Sequence, residues 1–308
     1  MSWLIAPGFS TSAPVHVALV VGGVVAVITA LVGVFTVVRG QSFAGHALSD
    51  IGTAGGSGAV LVGVPTLLGY VTMNLAAVGV MEVIGIRRPR GRDVATGIVL
   101  GASLGLASLF LYLDTTSTNA SGATVNVLFG SIFTISGGTI PVVAGLGLVS
   151  VALIAVVYRP LLLSSVSDDL ARAKGVAVRR VGLAFLASLA IAVSLSAITI
   201  GAILSTALLI GPAAAALKLT RRTGTAIGLA AVLGMAATWL GILLAYDSAS
   251  WSNGGQGWPA SFCIVLVVFV VYLVAAWASR FTGRRRDPAP GVPDPVAGGR
   301  TPVAAGNG

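Results

Sequence analysis

A chain of 308 residues with 56% hydrophobic and only 9% charged residues is too apolar for a water-soluble globular protein. Its formal charge of +9 does not point to nucleic acid, because the 18 Lys and Arg residues sit in short clusters between apolar runs without interleaved aromatics. The single Cys263 excludes an intrachain disulfide framework and a multi-cysteine metal site.

Lipid satisfies no backbone N–H or C=O group, so long apolar runs without period-2 alternation must be helices. The fold class is therefore an all-α membrane protein. Residues 1–14 form an external segment with no basic n-region, and the run from Val15 to Val38 is too long for a signal peptide core and reads as a first span. Further runs near the roughly 20 residues needed to span follow at 60–84, 94–113, 139–158, 180–200, 224–246 and 259–279. Two shorter runs, 43–57 and 202–217, need a second criterion. Basic residues occur at Arg39, Arg87 to Arg92, Arg159 to Arg180, Lys218 to Arg222 and from Arg280 onward. If both short runs cross, every one of them lies on the same side, as the positive-inside rule demands. This predicts nine crossings in a cell membrane, N-terminus outside and C-terminus cytoplasmic, with a transmembrane domain over 15–280. The tail 281–308, rich in Pro, Gly and Ala, lacks the apolar periodicity to fold. Between the third and fourth long runs, Asp114 opens a polar external loop whose second half, from Val125 to Ser136, suits a short helix dipping into or packed on the bundle.

The chain lacks its own energy source. Its two lysines, Lys174 and Lys218, follow Ala173 and Leu217, so no P-loop exists, and neither a Ser-His-Asp constellation nor an HExxH motif is present. No stably bound cofactor is expected. The informative stretch is Arg39 to Asp50, which puts His46 and Asp50 four residues apart on one helix face. Ionisable groups in membrane segments are costly and face a bundle interior or a water-filled path. An imidazole and a carboxylate together can ligate a borderline divalent cation; the same spacing also permits a simple hydrogen bond between them, or a proton relay in a secondary transporter or channel. Glu82 is placed to pair with Arg87 or Arg88, and Asp114 and Asp247 flank external ends as solvated groups or cation attractors. The cytoplasmic segment 160–180 contains a short capped helix: Ser167 as N-cap, Asp168 and Asp169 in the first turn, Lys174 in the last and Gly175 as terminator. It serves as a docking element or an amphipathic linker.

Several stretches together resemble the permease subunit of zinc, manganese and iron ABC importers. Arg39 to Asp50 is similar to that family's turn into its second helix, and Leu128-Phe-Gly-Ser131 to its external Leu-Phe-Gly segment. Asp169-Leu-Ala171 with Gly175 resembles its coupling helix, and Ile200 to Ala216 its Gly-x-Leu-Leu…Pro-Ala-Ala signature. The resemblance implies a type II ABC importer-like fold, in which a homodimer of permeases works with cytoplasmic ABC ATPase subunits and an external metal-binding receptor. It further implies ATPase docking at Asp168, Asp169, Ala171 and Gly175, and transient contact of His46 and Asp50 with the transported metal. The chain departs from the family in two places: the family commonly has Asp followed by His where this chain has His46 then Asp50, and Ser167-Asp168-Asp169 replaces Asp-Pro-Glu.

Overall fold

The computed structural model describes Phe9 and residues 12–85, 91–117, 121–130, 132–251 and 257–281. The expected disordered tail, Ser131, and Arg87 and Arg88 lie outside these residues. Among the described residues all regular structure is helical: α1 (Ala13–Val38), α2 (Ser42–Val62), α3 (Thr66–Gly85), α4 (Gly91–Ser117), α5 (Ser121–Phe129), α6 (Ile140–Val166), α7 (Asp168–Ala173), α8 (Val178–Ile200), α9 (Ser205–Leu219), α10 (Thr223–Trp251) and α11 (Ala260–Phe281), with two short 3₁₀ turns between α5 and α6. Seven of these, namely α1, α3, α4, α6, α8, α10 and α11, are long and apolar enough to cross a membrane. The two short runs of the sequence supply the remaining longer helices, α2 and α9.

Burial ranks the helices. In α1 and α8, 67% of the apolar stretch is buried within the chain, against 22% in α4 and α6, so α1 and α8 form the centre and the others wrap them. Small polar side chains join the central helices where bulky ones would hold them apart. Ser150 of α6 and Ser188 of α8 stand hydroxyl to hydroxyl at 2.9 Å, and each also donates to the other's backbone carbonyl at 3.0 Å. The Asn74 amide of α3 donates to the Ser194 hydroxyl of α8 at 3.0 Å. Such hydroxyl and amide bonds are the common glue between helices in lipid, where apolar contact alone gives little preference for one partner over another.

The low apolar content of α2 now has a packing reason. It is one continuous helix of 21 residues, about 31 Å at 1.5 Å per residue. Gly55 of α2 and Gly69 of α3 meet backbone to backbone, so a Cβ on either would collide with the other's carbonyl oxygen, and Gly56 lies under the Tyr70 ring. These glycines are what let α2 be gripped on several sides.

The second short run is different in kind. α9 has 15 residues, about 22 Å, and is separated from α8 by a break at Gly201 whose φ of 85° and ψ of 159° belong to a region that glycine alone occupies comfortably. Ala202 and Ser205 of this break are fully buried. Irregular backbone at such depth is tolerated only where protein satisfies it, and α5 does so: Ala202 N–H and Ile203 N–H donate to the Val127 and Leu128 carbonyls, both at 3.3 Å. The Tyr70 hydroxyl donates to the same Val127 carbonyl at 2.7 Å. Gly130, also at positive φ (71°), packs its backbone against Gly201. The expected short helix in the segment after Asp114 is thus α5, packed on the bundle over the turn between α8 and α9.

Two acidic residues are not where the sequence suggested. α4 continues through Asp114 to Ser117 and α10 through Asp247 to Trp251, and both carboxylates are buried rather than solvated. Each added helical residue gains a backbone bond at little cost once a helix exists, so these helices outrun their apolar cores. Glu82 pairs with Arg179 at the start of α8, 2.6 Å away; the expected partners Arg87 and Arg88 lie outside the described residues. Arg39, Arg179 and Lys218, the last over the Tyr272 ring of α11 at 5.4 Å, gather at one end of the bundle.

Candidate functional site

α2 begins after a tight elbow at Gly40, whose φ of 64° turns the chain back from α1. His46 lies in its second turn and Asp50 one turn further along, on the expected common face. His46 Nε2 and Asp50 Oδ2 are 3.5 Å apart, beyond the usual N–H···O range of about 2.7–3.2 Å. Two donors each 2.0–2.2 Å from a tetrahedral zinc ion would stand roughly 3.4 Å apart, so the pair is spaced for a shared cation without any movement. The His46 side chain is 53% exposed and that of Asp50 23%. Among the described residues no group of three or more His, Cys, Asp or Glu could hold a metal. The pair therefore lies open on the surface of the chain, and a polar surface in a membrane-spanning bundle must face water or another protein chain.

The other imidazole nitrogen is engaged as well. His46 Nδ1 stands 3.3 Å from the Thr206 hydroxyl in the first turn of α9, within hydrogen-bond reach. Between His46 and Asp50, on the adjoining face of α2, the buried Ser49 hydroxyl donates to the Ala202 carbonyl and touches the Ser205 hydroxyl. Ser205 in turn donates to the Ala202 carbonyl at 3.1 Å, and Ser196 of α8 donates to the Ser205 carbonyl at 3.3 Å. The helix break thus pins α2 through Ser49 and orients the ring of His46 through Thr206. Neither Thr206 nor the serines stood out in the sequence; the available signal was hydroxyls placed inside apolar runs, which in lipid seek partners on other helices.

The second expected site, in the segment 160–180, is a helix of six residues. Ser167 closes α6 and caps α7 at once, its hydroxyl accepting from Leu170 N–H at 3.3 Å. Asp168 and Asp169 occupy the first turn, Arg172 the last, Lys174 is the C-cap and Gly175 takes positive φ (77°). Asp169, Leu170 and Gly175 are exposed, Asp168 is partly so, and Val166 just ahead is 82% exposed. Ala171 is fully buried and fastens α7 to the bundle, so it belongs to the anchor and not to the free face. His46 and α7 lie on separate elements near the same basic end of the bundle.

Known proteins share this pattern over nearly the whole chain. The manganese transport system membrane protein MntC of Listeria innocua is 27% identical over 259 residues, covering 84% of this chain and 89% of its own length. The high-affinity zinc uptake system membrane protein ZnuB of Haemophilus influenzae is 27% identical, covering 76% of this chain and 89% of its own. In three dimensions the solved PsaBC from Streptococcus pneumoniae, determined in complex with Fab, superposes with a TM-score of 0.73 at 25% identity, covering 87% of this chain and 92% of that one. The model of the ABC 3 transport family matches residues 13–279, from the first helix to the last. With this match over almost all of its length, the helical bundle that carries the His46–Asp50 pair and the capped helix α7 is a membrane permease belonging to the ABC 3 transport family.

Proposed function

We propose that the chain imports a borderline divalent metal ion of the manganese and zinc class, with His46 and Asp50 touching the ion in transit. The observation that carries this reading is the 3.5 Å spacing of His46 Nε2 and Asp50 Oδ2 on an open face of α2. One chain offers two ligands, whereas zinc takes four and manganese more. A second copy related by two-fold symmetry brings a second pair to the same axis. Open coordination suits a cargo that must leave again. The energy comes from separate cytoplasmic ATPase subunits seated on the exposed face of α7, and an external metal-binding receptor delivers the ion. The names of MntC and ZnuB support metal as the cargo, and membership of an ABC transport family favours ATP-driven movement over a proton relay.

The test is uptake of radiolabelled Mn²⁺ and Zn²⁺ into cells carrying the permease with its ATPase and receptor. His46→Ala and Asp50→Ala should each lower uptake by at least about tenfold, the scale on which metal sites respond even to loss of a supporting group. Co-purification of the ATPase should be unchanged. Wild-type uptake in both variants would remove the pair from the ion's path.

A further inference from the structure

Arg39 ties the elbow before α2 to the helix that carries the docking element. Its guanidinium Nη1 donates to the Ser164 hydroxyl at 2.7 Å, and reaches the Ser165 hydroxyl and the Leu161 carbonyl, both at 3.4 Å. It also lies over the Phe185 ring of α8, 5.6 Å from the centroid. Leu161, Ser164 and Ser165 belong to the last turns of α6, whose free carbonyls form the negative end of the helix dipole, a natural seat for a cation. A membrane-side stop signal would not need any of these contacts, since a snorkelling arginine satisfies the same role in water.

The connections on either side of Arg39 are short. Toward the docking element there is no linker: Ser167 is the last cap of α6 and the first of α7. The buried Ala171 and the Val176 N–H bond to its carbonyl, at 3.0 Å, hold the far end of α7. A displacement of α7 therefore arrives at Ser164 and Ser165 directly. Toward the ion pair, Arg39 caps α1, Gly40 makes the elbow and His46 follows within two turns of α2. The opposite support of His46 is Thr206 on α9, a separate helix. Moving the basic end of α2 while the α8–α9 break stays in place changes the relation of His46 to Thr206.

We infer that Arg39 is a positioning residue that couples movement of α7, driven by the ATPase, to α2 and so to the His46–Asp50 pair. The inference rests on the proposed ATP-driven import, but its test does not depend on the cargo. Phe43 lies on the open face of α2, 45% exposed, and the native Cys263 is buried, so Phe43→Cys provides a single accessible thiol. In the purified complex with its ATPase, the rate at which a water-soluble maleimide labels this thiol is measured with and without ATP and vanadate. With Arg39 present the nucleotide should change the rate several-fold. Arg39→Ala should abolish that change while ATP hydrolysis, co-purification and melting temperature remain those of the parent, and Arg39→Lys should restore part of it. Ser164→Ala with Ser165→Ala should reproduce the loss and add nothing to Arg39→Ala. A nucleotide-dependent change that survives Arg39→Ala, no change in the parent, or a parallel collapse of hydrolysis and stability would each overturn the inference. Failure of the metal reading shows separately, as a parent complex that responds to nucleotide yet takes up neither Mn²⁺ nor Zn²⁺.

Discussion

His46 illustrates how one side chain acquires a task from its two nitrogens. With Nδ1 occupied by Thr206, Nε2 is the nitrogen that faces Asp50. Metal-bound imidazoles commonly have their second nitrogen held in this way, which fixes ring orientation and tautomer. Thr206→Val keeps the shape of the side chain and removes the hydroxyl. It should raise the metal concentration needed for half-maximal uptake by about ten- to a hundredfold, the usual cost of losing such a support, with little change in the maximal rate. Thr206→Ser should restore the parent value. Equal loss in both variants would mean that α9 packing, not the hydroxyl, is at stake. The reversed order of His46 and Asp50 relative to the family's usual Asp-then-His leaves the imidazole and the carboxylate on one face, because residues four apart exchange places along the same helical stripe.

At the level of elements, the break between α8 and α9 is the feature on which the site depends. It is stabilised by a glycine in a conformation other residues avoid and by α5, which offers two carbonyls to the exposed N–H groups. Gly201→Ala asks a side chain to adopt that backbone, at a cost of about 1–3 kcal/mol, and sets its Cβ against the Leu128 carbonyl and Phe129. The variant should be recovered in lower yield and melt at lower temperature in detergent. Gly145→Ala, where an added methyl would have nothing within 4 Å, is the matched control and should behave as the parent. α7 shows the converse, an element readable from its residues alone. A hydroxyl N-cap, two acids in the first turn and a terminal glycine are local requirements of any short helix, and the structure places all of them as the sequence implied.

On the scale of the whole molecule, the proposed seat of the ATPase on α7 can be tested by charge. Asp169 is exposed and lies near the positive end of the α7 dipole, so Asp169→Lys reverses a favourable charge there. It should weaken retention of the ATPase by roughly fivefold, read as co-purified ATPase per permease, without lowering the amount of permease in the membrane. Unchanged retention would move the docking surface away from α7. The sequence by itself determined the helical membrane class, the positions of nearly all the helices, the capped helix α7 and the shared face of His46 and Asp50, because each of these is set within a few turns of chain by hydrophobicity, charge placement or capping. Partner choice was another matter. Thr206 is 160 residues from His46, Ser164 is 125 from Arg39 and Glu82 is 97 from Arg179. Even the glycines of α2 become close-packing contacts only beside α3. Which helices lie side by side, which acids are buried and what satisfies the backbone after α8 were decided by tertiary packing, since in lipid every polar group must find its partner within the protein and no local pattern names that partner.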